Sequence, residues 1–316
     1  MISRSTLIGA LVVVELAIVG MAASAIAIGP IGGPFGGPFG GPFAFHVPSF
    51  GRGAFASSNT LDRRFVAGPA PHVVIDVHDV PVVIEAEDGV AVHAVESSRV
   101  GFFGGTTAPI TAQQTIDGVR LHSSGDAGVI GLGSFHQSLR VTVPPAARVD
   151  ILSADDVDVS GLRAKLVVHA PSGMIHVSDH RGDLDLSSTE GRIVLTDVQG
   201  ANVAANTRDG RLIFHRVAAD RLDANTVNHY IEAVDLYAVD GALTTRDGHV
   251  NVSFTGDSDA TVNVRSDNGK VHVHGLATTD DTRSSSIVHL GSGRGHFEVS
   301  TGDGTIKITR GASTHA

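Results

Sequence analysis

The chain has 316 residues, 42% of them hydrophobic and 18% charged, a balance that supports a packed core and argues against disorder. Its formal net charge is -10 and no basic run exceeds Arg63-Arg64, so nothing neutralises several phosphates at once and nucleic acid is not an expected partner. Cysteine is absent, which removes disulfides, thiolate metal centres, thiol nucleophiles and a lipidated cysteine anchor together.

The first element is apolar. Arg4 precedes LIGALVVVELAIVGMAASAIAIG, a run from Leu7 to Gly29 broken only by Glu15. At helical rise, about 22 residues cover roughly 33 Å, enough for a bilayer core of about 30 Å. The lone basic flank lies N-terminal, so the positive-inside tendency keeps the N-terminus cytoplasmic and sends residues 30 onward outside. Ala23-Ser24-Ala25 and Ala25-Ile26-Ala27 also offer small-x-small cleavage patterns. Residues 1–29 therefore read as a transmembrane signal-anchor, or as a signal peptide whose removal would release the remainder. The expected location is the cytoplasmic membrane, single-pass, with the C-terminal domain extracytoplasmic, or secreted if the segment is cut. Glu15 reads as a protonated or snorkelling residue near a helix interface.

Residues 30–60 form a Gly/Pro/Phe-rich linker that contains GGPFGGPFGGPF at 32–43. Proline at every fourth position blocks helix and ladder hydrogen bonds, and paired glycines prevent stiffening into polyproline, so the segment is a spacer.

One domain is expected over 61–316. Strands are visible in HVVIDVHDVPVVIEAEDGVAVHAV (72–95) and in LRVTVPP (139–145), with turn signals at Glu87-Asp88-Gly89 and Pro144-Pro145. Residues 101–137, rich in Gly and Thr, read as long loops or an irregular rung. RVDILSADDVDVSGL (148–162) reads as a first, glycine-free rung.

From about residue 150 the chain repeats. Corners fall at Gly173, Gly191, Gly210, His229, Gly248, Gly269 and Gly304, separated by 18, 19, 19, 19, 21 and 35 residues. Two places after each corner stand Ile175, Ile193, Leu212, Ile231, Val250, Val271 and Ile306. Four places after stand Val177, Leu195, Phe214, Ala233, Val252, Val273 and Ile308. The places between are mostly polar, which is the period of a strand with one buried face. A second strand precedes each corner, and the corner itself is S/T-x-[DEN]-G, where glycine is expected to supply positive φ. One such unit buries its apolar face against nothing, so rungs must stack about 4.8 Å apart, each column over the same column of the rung before. The expected fold is all-β, a single-stranded β-helix or β-solenoid with rungs of about 19 residues, preceded by one transmembrane helix. The last, 35-residue separation is expected to hold a rung plus an insertion, or a degenerate rung. A propeller with two units per blade is the second architecture.

VVIEAEDGVAVHAV followed by the tandem corners TTRDGHVNVS and TGDGTIKIT, behind one membrane segment, resembles the bacterial putative-adhesin family of β-strand-repeat envelope proteins, LiaG-like proteins included. The resemblance spans roughly residues 65–310. It implies a β-helix-like domain outside the cytoplasmic membrane and carries over no catalytic residue. The His229 corner and the interval from Gly269 to Gly304 depart from the pattern and bear on the rung count.

Among possible sites, His272 and His274 share the outward face of one strand, with His249 expected one rung earlier, and imidazoles so spaced are zinc candidates. Their expected vertical neighbours, Asn251 and Ser253, add no further ligand, so no metal, cofactor or catalytic residue is assigned. Collective histidine protonation near pH 6 would make the surface pH-sensitive. The acidic corner column, Glu190, Asp209, Asp247 and Asp303, reads as turn chemistry, and GSGRG at 291–295 as a loop. The expected function is non-catalytic: a membrane-anchored envelope protein presenting a solenoid surface to a protein or glycan partner. The alternatives are a carbohydrate-active β-helix enzyme, which needs two carboxylates within about 5 to 10 Å, and an accessory in envelope-stress sensing.

Overall fold

The computed structural model describes residues 56–100, 109–123 and 135–311. The expected transmembrane segment and the glycine-proline-phenylalanine repeats lie outside these residues. Among the described residues there is no helix, and 22 strands join into one sheet.

The apolar columns form vertical stripes. Ile175, Ile193, Leu212 and Ile231 lie in register on successive parallel strands and are fully buried. On the other side of the corner, Leu166, Leu184, Val203 and Leu222 do the same. Each stripe removes branched aliphatic carbon from water at every rung, and no rung could do so alone.

The order of stacking differs from the order of the chain. Gly295–Thr301 and Ile306–Arg310, the last rung in sequence, lie between the Gly248 rung and the Gly269 rung: Val250 pairs with Ile306 and Ile306 with Val271. The long final separation explains how. It holds Ala277–Thr279 and Ser285–His289, which run antiparallel to each other, and Ser285–His289 also runs antiparallel along Ala260–Ser266, turning the chain back. Packing explains why. In the upstream column Gly241 presents no side chain, and its register partner is Phe297, whose ring meets Phe254 edge-on with centroids 5.7 Å apart.

The N-terminal end is built likewise. His72–Asp76 lies between Gly118–Ser123 and Arg148–Ser153, and Val82–Ala86 lies between Phe135–Val143 and Val157–Ser160. The first rung in sequence is therefore also second from its end of the stack. Outer rungs meet antiparallel strands, Ile110–Gln114 on Gly118–Ser123 and Ala91–Val100 on Phe135–Val143, which cover edges that would otherwise template another chain.

The corner glycines do not adopt positive φ, contrary to the sequence expectation. A Cβ on Gly210 would lie 1.9 Å from the Gly191 carbonyl oxygen, and one on Gly191 would lie 1.7 Å from that of Gly173. Glycine is demanded by the close approach of stacked backbones. The left-handed residues stand six places later, at Asp179, Asp197, Arg216 and Asp235, with φ of 45°, 56°, 52° and 55°. There the chain bends a second time without leaving the sheet, so Ile193–Asn206, Leu212–Thr226 and Ile231–Thr245 are each one long strand wrapping onto a third face. The Ser/Thr of the corner stitches rungs together. Thr226 Oγ1 donates to the Gly210 carbonyl at 2.8 Å, Thr301 to that of Gly248 at 2.8 Å, and Ser266 to that of Gly304 at 2.8 Å, all three residues buried.

Candidate functional site

The third face carries the candidate site. Beyond the left-handed bend, alternate residues again point in and out. His180, Val198, Val217 and Leu236 are buried, while Arg181, Gln199, Ala218 and Tyr237 form the outward column in register. Ala218 is the short member of that column, and two depressions meet over it. One, of about 330 Å³, extends past Arg216 and Asp235 to Asp257; the other, of about 390 Å³, extends over Gly200 and Ala219 to Asp220. Gln199, Ala218 and Tyr237 line both.

Electrostatics fix the rim on the bend side. Arg216 Nε and Nη2 donate to the two carboxylate oxygens of Asp197 at 2.5 and 2.7 Å, a fork that crosses one rung interface. These hydrogen bonds hold the Asp197 carboxyl below the ordinary carboxylate range. Below the surface His180 is fully buried in the inward column, with neither ring nitrogen hydrogen-bonded in good geometry. Burial pushes its imidazole down to about 4, offset only in part by the nearby backbone of Gly182 and Asp183.

The histidines singled out in sequence are placed differently. His272 and His274 stack with ring centroids 6.5 Å apart and planes 9° from parallel. Their rung neighbours are Lys307 and Thr309 instead of Asn251 and Ser253, because the last rung intervenes. His249 is separated from them by that rung, and its Nδ1 accepts the Thr305 N–H at 3.0 Å. Among the described residues no group of three or more His, Cys, Asp or Glu side chains could hold a metal ion. Elsewhere histidines contact carboxylates across adjacent rungs, His72 to Asp150 at 2.6 Å, His122 to Asp76 at 3.3 Å and His176 to Asp158 at 3.3 Å.

Three of the four acidic corner residues are engaged by neighbouring side chains. Asn228 Nδ2 donates to Asp209, Asn268 Nδ2 to Asp303 at 2.7 Å, and Arg246 Nε to Asp247 at 3.2 Å. In the GSGRG loop, Ser292 Oγ and Arg294 Nε both donate to Asp259, at 2.9 and 2.5 Å, and the Arg294 bond holds that carboxyl well below its usual range. The groove itself escaped the sequence reading because Arg181, Gln199, Ala218 and Tyr237 share no chemistry. The signal that could have found it is the Asp recurring six places after the corner.

A family model described as Toastrack DUF4097 matches residues 71–309. Among solved structures, one described as a putative adhesin from Parabacteroides distasonis is similar at 13% identity, covering 82% of this chain and 98% of that one, with a TM-score of 0.50. A putative adhesin from Parabacteroides merdae is similar at 12% identity, covering 82% and 97%, with a TM-score of 0.49. A further one, described as a putative lipid binding protein from Parabacteroides distasonis, is 12% identical over 84% and 96% of the two chains, with a TM-score of 0.43. No curated protein matches.

Proposed function

Because this chain belongs to the Toastrack DUF4097 family, we propose that it is a non-catalytic envelope protein, anchored by residues 1–29 and presenting its solenoid faces to an envelope protein or glycan. The observation that carries this reading is the groove over Ala218, where three rungs bring an amide, a methyl and a phenol into one outward column. The apolar run from Leu7 to Gly29 and the Gly/Pro/Phe-rich spacer behind it support display outside the membrane. The adhesin descriptions of similar proteins agree with a binding role.

A glycosidase reading is favoured by one observation, the presence of Asp235 and Asp257 on the same groove. A hydrolase of that kind needs a carboxyl raised to serve as acid. Among the described residues Asp155 is a carboxyl pushed up, by burial with the charges of Asp156 and Asp79 adding, and it does not line the groove.

The test is to express the full chain with a C-terminal tag in a bacterial host and follow it to the envelope. Expected are membrane fractionation, protease access to the tag in spheroplasts, and saturable retention on isolated envelope without release of reducing sugar. A protected tag would contradict the topology, and sugar release abolished by Asp235→Asn would overturn the non-catalytic assignment.

A further inference from the structure

We propose that the groove over Ala218 binds a neutral oligosaccharide, with one ring stacked on Tyr237. This rests on the binding reading above and names its ligand class.

In the outward column the register runs Arg181, Gln199, Ala218, Tyr237 on successive rungs. A methyl between an amide and a phenol leaves a notch whose walls stand two strand spacings apart, about 9.6 Å. The walls differ in chemistry. Tyr237, half-buried, offers an aromatic face with a hydroxyl at its rim, a large and rigid contact that costs little conformational entropy to fix. Gln199, exposed, offers a donor and an acceptor in one plane. Those are the two surfaces of a pyranose, whose C–H face is apolar and whose edge both gives and takes hydrogen bonds.

Charge points the same way. The rim carries both signs, Arg181 and Arg216 against Asp220, Asp235 and Asp257, and Arg216 is already forked onto Asp197. With Arg216 paired to Asp197, Arg181 stands against three carboxylates, so the rim is net acidic and repels an anionic polymer. Aromatic residues are scarce here: the chain has two tyrosines and no tryptophan. Of the two, Tyr230 carries the Arg211 guanidinium 5.2 Å above its ring centroid, while Tyr237 stands in the groove. The two depressions continue into each other across the rungs, so the fit is to a short chain of sugars, not to a single ring.

The experiment uses the full chain in detergent and measures its affinity for immobilised neutral tetrasaccharides of β-1,4-glucose, β-1,4-N-acetylglucosamine, β-1,4-mannose and α-1,4-glucose, with tetragalacturonate as the acidic comparison. Expected is saturable binding to at least one neutral sugar. Tyr237→Ala and Ala218→Gln should each weaken it about tenfold or more, Tyr237→Phe should retain most of it, and Tyr230→Ala should leave it unchanged. Melting curves matching the parent show that the variants fold. Absence of neutral binding, binding insensitive to both Tyr237→Ala and Ala218→Gln, or preference for tetragalacturonate would overturn the proposal. Capture of an envelope protein that is lost in Tyr237→Ala, with no sugar bound, would overturn the saccharide while leaving the binding role standing; loss of both would end both.

Discussion

At the scale of the residue, His180 shows what an inward position costs a titratable group. Its folded imidazole lies near pKa 4 against an ordinary 6.5. A base depressed in this way contributes nothing to pH dependence above about 6.5, where both states are neutral. Below that the unfolded chain takes the proton first, so stability is lost as pH falls from about 6.5 to about 4, on the order of 3 kcal/mol in all. Urea unfolding at pH 7 and pH 4.5 should show this fall in the parent and a smaller one in His180→Leu, which keeps the buried volume similar without the ring nitrogens. Parallel pH profiles would contradict the placement. His180 was not legible in sequence, because its column holds Val198, Val217 and Leu236 on the following rungs and a polar residue in such a series reads as outward.

The element is the rung, and its two bends use glycine and the left-handed region for separate purposes. The S/T-x-[DEN]-G corner was legible as a corner from its recurrence, and the period-two columns after it correctly named the buried face. Its physical basis was misread, since a glycine kept for close stacking and one kept for positive φ look alike in a single chain. The two are separable by substitution. Gly210→Ala places a Cβ 1.9 Å from the Gly191 carbonyl oxygen, so adjacent rungs must part, at a cost of about 3 kcal/mol. Gly275, six places after Gly269, has φ of 73° and open space around a Cβ, so Gly275→Ala meets only the left-handed penalty of about 1 kcal/mol. Denaturant midpoints should order the two variants so; equal losses would refute the stacking explanation. The second bend is marked in sequence by Asp179, Asp197 and Asp235, but Arg216 interrupts the series and the shared left-handed conformation shows only in the backbone dihedrals.

At the scale of the molecule, the stack is completed by threading, with the last rung in sequence inserted beneath the Gly269 rung. Sequence order predicts which residues face the core, and Ile193, Leu212 and Ile231 do so without exception. It does not predict which rung sits on which, because every rung offers nearly the same stripe and register is chosen by particular fits: Phe297 over Gly241 and against Phe254, Thr301 to the Gly248 carbonyl, Ser266 to the Gly304 carbonyl. Placing the first and last rungs in sequence second from the ends of the stack leaves each outer rung joined to the rest through the chain on both sides. The function assigned to the third face depends on that stack, since a groove lined from successive rungs exists only while the rungs hold their order.

The absence of native cysteine makes that order directly measurable. Asn251 and Lys307 are register neighbours on the outward face, about 4.8 Å apart as strands, whereas Asn251 and His272 are separated by the intervening rung, about 9.6 Å. A disulfide tolerates only the first spacing. Under mild oxidation the double variant Asn251→Cys with Lys307→Cys should cross-link nearly completely within one chain, and Asn251→Cys with His272→Cys should not. The reverse result, with the Gly269 rung directly on the Gly248 rung, would contradict the threaded stack.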